Sequence, residues 1–381
     1  MKKTYWLLVF LIIAFIFLIF KLFFYHHYTI FVDAGSNGSR LFIYEYTGTK
    51  KNPVIHNVFT DSTVPGLSSY ASNPQAAANS LDPLLDHAKY YLYTHLIFQS
   101  AVKINILATA GMRLLPLTTQ QIIYDSILQN VKKNYQFKLG EFRTITGKEE
   151  GLYGWLDINY LARRFQRNLP TFGSIDMGGA SSQIAFETDD ITQSNDFFIF
   201  TLNKKQVKVF SRSFQGLGNV QSLLIMNKSS QARNCYPKNY PLSNTLGRFN
   251  FKNCEKIFET YILTFPINTL NLMLKDKIFV AYSAIYHTVN FFDVVKLSDQ
   301  NILKDKIQSV CNNEWGTVQK LYPTVNIKYL SSACAMGVYI NELLYDTYQL
   351  KSEQLIVVQK IRQKDINWTL GKMLFDLIDH S

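Results

Sequence analysis

Residues 32–40 read VDAGSNGSR and residues 175–183 read IDMGGASSQ. In both, an apolar run ends on an Asp, a Gly follows two places later, and small residues lead to a polar side chain. Gly at that offset permits positive φ and lets the backbone come close to a ligand. Successive N–H groups in such a turn form an anion-binding concavity, to which Ser hydroxyls add donors. The Asp at the strand end repels phosphate but suits a divalent cation or the waters around one. Either stretch alone reads as an ordinary β-hairpin turn, because D-x-G is frequent in turns. Together, with matched offsets and flanking strands, they imply two similarly built lobes with a central cleft, able to clamp one polyphosphate from both sides.

A chain of 381 residues suits two lobes better than one small core. YTIFVDAG reads as a buried strand, the small-residue turn follows, and RLFIYEY alternates like a second strand. Pro74 to Phe98 is helical in pattern, VKINILATA is another buried strand broken at Gly111, and Thr118 to Tyr135 is helical with the Thr pair as N-cap. KEEGLYGWLDINYLARRF runs from a loop into a helix, after which TFGSIDMGGA and SSQIAFE repeat the strand–turn–strand opening. Strands alternating with helices, ending in the helical TLGKMLFDLI, give an α/β class. Lys and Arg outnumber Asp and Glu by 39 to 28, a net charge of +11 that suits an anionic ligand. No dense basic run with interleaved aromatics occurs, so nucleic acid is not an expected partner.

After Lys2 and Lys3, Tyr5 to Phe20 is uninterrupted apolar, and Leu22, Phe23 and Phe24 follow Lys21. About twenty such residues cross a bilayer core as a helix. Bulky Phe and Tyr run on to His26 and His27 without a small-residue cleavage site, which favours an uncleaved anchor over a signal peptide. The expectation is one transmembrane helix over residues 4–24, with the body outside the cytoplasm, at the cell surface, in a periplasm or in a secretory lumen. Secretion after cleavage is the variant of this reading. Cys235, Cys254, Cys311 and Cys334 all lie in the second half, with no C-x-x-C spacing. Four cysteines allow three pairings; the neighbour pairing Cys235–Cys254 and Cys311–Cys334 is expected in an oxidising compartment.

The paired turns resemble those of the actin, heat-shock ATPase and sugar-kinase superfamily, whose two ribonuclease-H-like lobes each carry an Asp-containing phosphate hairpin. ATAGMRLL (108–115), GKEEGLYGWLDINYL (147–161) and IDMGGASSQIAF (175–186) resemble successive conserved regions of the ecto-apyrase, or nucleoside triphosphate diphosphohydrolase, family. VDAGSNGSR resembles the first of those regions, VAYSAIYHTVNFF (280–292) the F-S-A-F-Y-Y segment, and INWTLGKML (366–374) the closing W-x-L-G stretch. The six occur in the family's order. The resemblance implies a membrane anchor over 1–27, lobe I over 28–165 plus about 360–381, and lobe II over 166–359.

It also implies hydrolysis of terminal phosphates of nucleoside tri- and diphosphates, with Mg²⁺ or Ca²⁺ and no covalent intermediate. Glu150 matches the general base, needed because water is a poor nucleophile unless a proton leaves as it attacks. Ser181 and Gln183 match the residues that position the water, and Thr109 the hydroxyl facing the terminal phosphate. Asp33 and Asp176 match holders of the cation's water shell. Ser36, Asn37, Gly38, Ser39, Gly179 and Ala180 match phosphate contacts, with Arg40 and Arg113 as charge partners. Tyr286 or His287, and Tyr329, fall where the family stacks the base; His287 departs from the usual Tyr. Glu149, beside the base, reads as a helix N-terminal acid favoured by the dipole. Two other readings share these turns: an exopolyphosphatase or kinase of the same superfamily, and a non-catalytic, membrane-tethered nucleotide-binding protein.

Overall fold

The computed structural model describes residues 26–49, 52–189, 195–202, 204–267, 270, 273–295 and 299–379, together with Trp6, Ile13 and Phe15. The anchor expected over residues 4–24 lies, apart from those three, outside the described residues. Among the described residues no helix is long and apolar enough to cross a membrane. The chain divides into two compact units, Met1–Thr144 with Met373–Ser381, and Ile145–Lys372.

The first unit holds a five-stranded sheet in the order β3-β2-β1-β4-β5. Strand β1 (His27–Ala34) pairs antiparallel with β2 (Ser39–Thr49), which pairs antiparallel with β3 (Asn52–Thr63). On its other side β1 runs parallel to β4 (Lys103–Ala108), and β4 parallel to β5 (Lys138–Thr144). The central strands are apolar runs because both faces of parallel strands are covered. Alternate residues Ile30, Val32, Ile104 and Ile106 pack with the helical residues Leu84, Leu85, Ala88, Ile123 and Ile127 in one buried cluster.

Those helices depart from the expected spans in two places. Pro74–Phe98 forms two helices, α1 (Pro74–Asn79) and α2 (Asp82–Thr94), because Pro83 has no N–H to continue the first and sits where a new helix can begin. After the short α3 (Ala110–Arg113), helix α4 (Leu117–Asn134) starts from Pro116, not from a Thr cap. Pro116, at φ −55, has its carbonyl accept from Gln120 N at 3.0 Å, which leaves Thr118 and Thr119 inside the first turn.

The second unit repeats the plan in a six-stranded sheet, β13-β12-β6-β7-β9-β8. Strand β6 (Gly173–Met177) is flanked by antiparallel β7 (Ser181–Glu187), itself antiparallel to β9 (Lys205–Gln215). On the other side β6 runs parallel to β12 (Phe279–Ser283), and β12 parallel to β13 (Leu355–Val357). The additions are the edge strand β8 (Phe197–Leu202) and two small ribbons, β10 (Pro241–Leu242) with β11 (Thr245–Leu246) and β14 (Lys360–Ile361) with β15 (Lys364–Asp365). Centred on β1 and on β6, the two sheets share one strand order and one pattern of directions.

Helix α5 (Gly147–Leu161) opens this unit. It packs on β7 and β9 with Trp155 fully buried, within the unit that begins at Ile145. Helices α6 (Asn219–Lys228), α7 (Phe251–Ile262), α8 (Ala284–Phe291), α9 (Gln300–Cys311), α10 (Trp315–Leu321) and α11 (Ile327–Asn341) follow, and α12 (Trp368–Asp379) closes the chain.

Both disulfides form as neighbour pairs, Cys235–Cys254 and Cys311–Cys334, at sequence separations of 19 and 23. The first ties a 3-10 turn to α7 and the second ties the end of α9 to α11, all four sulfurs in the core cluster. Closing such loops restricts the unfolded chain by roughly 3 kcal/mol each. Changing Cys235 and Cys254 together to Ser is expected to lower unfolding free energy by about 2–4 kcal/mol in urea titrations. An unchanged midpoint would refute a stabilising role.

Candidate functional site

In the first unit the turn Gly35–Gly38 joins β1 to β2, with Ala34 opposite Ser39. Asp33, the last residue but one of β1, is almost wholly buried. Arg40 Nη2 donates to its Oδ2 at 2.9 Å. Arg40 is therefore seated on the Asp, which it faces directly in the β1–β2 register. Ser36 and Gly38 are half-buried, Asn37 is exposed, and Ser39 is buried within β2. Thr109 follows β4 directly, and its N–H donates to Ala34 O at 3.2 Å, which places it beside the mouth of the turn. Gly111, one turn on, is required by close approach: a Cβ there would stand 2.8 Å from Ser36 Cα. Arg113, the last residue of α3, is half-buried.

In the second unit the turn Gly178–Ala180 joins β6 to β7. Gly178 O accepts from Asn219 N at 2.9 Å, and Gly179 O accepts from Val220 N at 2.9 Å and Gln221 N at 3.2 Å. The N-terminus of α6 thus takes both turn carbonyls. In a trans peptide the carbonyl and the following N–H point in opposite directions. The N–H groups of Gly179 and Ala180 are consequently aimed away from α6, as phosphate donors would be.

Asp176 lies at the centre of a polar row. Register pairs it with Gln183 on β7 and Tyr282 on β12, and Gln183 with Ser213 on β9. Directly opposed residues share a sheet face. Helix α5 lies over that face. Gly151 permits this, since a Cβ there would stand 2.5 Å from Ser211 Oγ and 3.4 Å from Gln183 Cβ. The close approach puts Glu150 against Gln183, whose Nε2 has three acceptors for its two hydrogens: Glu150 Oε2 at 3.3 Å, Ser181 Oγ at 2.5 Å and Ser213 Oγ at 2.9 Å. Glu150, Ser181 and Gln183 are all buried. Glu149, one residue earlier, serves the helix start: its Oε2 accepts from Thr146 N at 2.7 Å, while Thr146 Oγ1 accepts from Glu149 N at 3.2 Å.

Tyr286 and His287 occupy the first turn of α8, with ring centroids 5.4 Å apart. Tyr286 is half-buried against the core, and His287 is exposed. Tyr329 is exposed in the first turn of α11, which packs on α8. Trp155 and Trp368 are core residues.

Comparison with known proteins decides among the readings. A model of the GDA1/CD39 (nucleoside phosphatase) family matches residues 24–258 and 264–380. The chain belongs to this family. Among its GDA1/CD39 relatives, ectonucleoside triphosphate diphosphohydrolase 1 of Bos taurus is 28% identical over 412 residues, covering 91% of this chain and 80% of its own. The Golgi apyrase of Saccharomyces cerevisiae is 27% identical, covering 91% of this chain and 69% of its own. Among solved structures, a nucleoside triphosphate hydrolase from Neospora caninum superposes with a TM-score of 0.69 at 14% identity, over 93% of each chain. A Ppx/GppA protein of Aquifex aeolicus does so with a TM-score of 0.56 at 14% identity, over 93% of this chain and 99% of its own. These two likenesses establish the actin-like fold alone.

Two residues of the row escape sequence reading in this GDA1/CD39 chain. Ser213 carries no motif and enters only through the register of β9. Tyr282 stands where the F-S-A-F-Y-Y segment begins with Phe, and that substitution is the signal to be found in the sequence. Its hydroxyl reaches α5, where a Cβ on Gly154 would lie 2.3 Å from it. It is hydrogen-bonded to Asp176, and burial, with Asp176, Asp157 and Glu150 nearby, pushes its pKa well above the phenol range. The group stays a neutral donor.

Proposed function

We propose that this protein hydrolyses the terminal phosphates of nucleoside tri- and diphosphates. The observation that carries the reading is the buried set Glu150–Gln183–Ser181 at a Gly-rich turn, in a chain of the nucleoside phosphatase family. A nucleotide-binding module needs turns but not a carboxylate poised beside water-sized polar partners.

In the proposed step, water attacks the terminal phosphorus while one of its protons passes to the Glu150 carboxylate. The bond from that phosphorus to its bridging oxygen breaks, and the electron pair leaves with the shortened nucleotide. Ser181 and Gln183 orient the water, and Gln183 also fixes the Glu150 side chain through its Nε2. Thr109 faces the terminal phosphoryl group. Backbone N–H groups of Gly179, Ala180 and the Ser36–Gly38 turn bind phosphate oxygens, with Ser39 and Arg113 as supporting polar groups. Tyr286 or His287, and Tyr329, stack the base, which tolerates any base because each has a π-face.

Asp33 and Asp176 are oxygen donors at strand ends beside these turns, a donor set that fits Mg²⁺ or Ca²⁺ held through water. Such an ion, when bound, neutralises phosphate charge. The two disulfides support a body in an oxidising compartment, and the apolar run to Phe24 supports a membrane anchor over residues 4–24.

Tyr282→Phe removes the hydrogen bond to Asp176 while keeping the ring the family carries there. Hydrogen bonds to charged groups contribute about 1.5–3 kcal/mol, so the Mg²⁺ needed for half-maximal activity is expected to rise by about tenfold. An unaltered Mg²⁺ dependence would show that the hydroxyl does not position Asp176.

Phosphate release by the full chain from ATP, ADP, AMP and polyphosphate tests the function itself. ATP and ADP are expected to be cleaved and AMP and polyphosphate to be inert. Cleavage of polyphosphate alone would favour the exopolyphosphatase reading.

A further inference from the structure

The end of the first sheet remote from its turn carries a surface that the proposed reaction does not use. Strand β1 is eight residues long, which puts its first residue roughly 25 Å from the turn at its other end. At that remote end Thr29 stands beside Lys103, and Lys103 beside Lys138. The segment leading into β4 lies there too, since Gln99 Oε1 accepts from Gln136 N at 3.3 Å.

Large apolar side chains crowd this end without cover. Tyr93 is 77% exposed, Leu96 90% and Phe98 79%. Leu96 is the more telling, because it follows the C-cap of α2, His95. Ile97 N donates to Leu92 O at 2.9 Å and Leu96 sits at φ 57, the left-handed position where helices favour Gly. The chain keeps an exposed Leu where Gly would be easier. Around these residues the exposed charges include Lys103, Lys138, and Lys132 and Lys133 in the last turn of α4, together with Asp86, which accepts from Tyr135 Oη at 3.0 Å. Glu45, at the same end, is already bonded to Tyr28 and His26, at 2.7 and 2.6 Å.

Sequence distance supplies the occupant. The apolar N-terminal run reaches Phe24, and β1 begins at His27. Two intervening residues, fully extended, span only about 7 Å. If the run crosses a bilayer, this end of the sheet is held at the bilayer surface. Aromatic side chains favour that boundary, and lysines lay their apolar stems along it while the ammonium group stays among the headgroups.

We propose that Tyr93, Leu96 and Phe98, with Lys103, Lys132 and Lys138 on the same side of the unit, seat the first unit on the bilayer surface, with its phosphate turn facing away. The proposal rests on the membrane-anchor reading above. It adds a second contact, which fixes the orientation of the unit to the membrane.

The test uses the full chain in nanodiscs of anionic lipid, with a nitroxide on a single introduced cysteine. The native cysteines are all in disulfides and do not compete for the label. Phe98→Cys probes the surface, Ile13→Cys the anchor, and Ile199→Cys an exposed site in the second unit. Labels at 13 and 98 are expected to collide with dissolved oxygen in preference to an aqueous nickel chelate, and the label at 199 to do the reverse. Changing Lys103, Lys132, Lys133 and Lys138 to Glu should raise chelate access at 98 by at least about fivefold while phosphate release stays within about twofold. Lipid contact at 13 with water contact at 98 would overturn the seating and leave the anchor standing. Water contact at 13 would overturn both. A label at 98 hidden from both reagents would mark a contact between copies and would also overturn the seating.

Discussion

Glu150→Gln is expected to lower kcat by about 10² to 10⁴, the range for removal of a general base. The amide keeps the size and reach of the carboxylate but cannot take a proton. Gln183 can rotate its amide to meet it, so the α5–β7 contact survives, and nucleotide binding is expected to stay within about tenfold of the parent. Thermal unfolding should move little, because the packing at Gly151 is untouched. Glu149→Gln is the matched control. Glu149 completes the capping box with Thr146, and Gln serves equally well at that position, so only a small loss of activity is expected. Near-parental turnover in Glu150→Gln, or a dead Glu149→Gln, would remove Glu150 from the role of base. A loss of binding equal to the loss of rate would make Glu150 a binding or structural residue.

Chelation gives the second large effect. With Asp33 and Asp176 holding a cation through water, excess EDTA should abolish phosphate release, and Mg²⁺ or Ca²⁺ should restore it. The physical reason is charge. A nucleoside triphosphate brings several negative charges to turns that themselves end on carboxylates, and without a cation those charges repel. Full hydrolysis in EDTA would refute the roles given to both acids. Unfolding measured with and without EDTA should coincide, since both disulfides and both cores form without the ion.

The repeated D-x-G turn carried the two-lobed plan into the sequence because both turns are local: an apolar strand, a Gly and small residues suffice to specify each. The same locality made Glu149 readable as a helix-start acid. Four features escaped that reading. The break between α1 and α2 depends on Pro83 beginning a second helix inside a continuous Ala- and Leu-rich pattern. The packing of α5 on β7 and β9 is a choice that helical periodicity cannot express. The polar row Ser213–Gln183–Asp176–Tyr282 comes from four strands, and only sheet register aligns it. The use of the α6 N-terminus to hold the Gly178 and Gly179 carbonyls was hidden for the same reason, since Asn219 lies far along the chain from the turn.

Phosphorus stereochemistry separates direct attack by water from a route through a phosphorylated side chain. ATP made chiral at its terminal thiophosphoryl group would be hydrolysed by the full chain in isotopically labelled water, and the configuration of the released thiophosphate determined. A single displacement by water activated at Glu150 predicts inversion. Retention would require two displacements through a phosphorylated side chain, and would contradict the account.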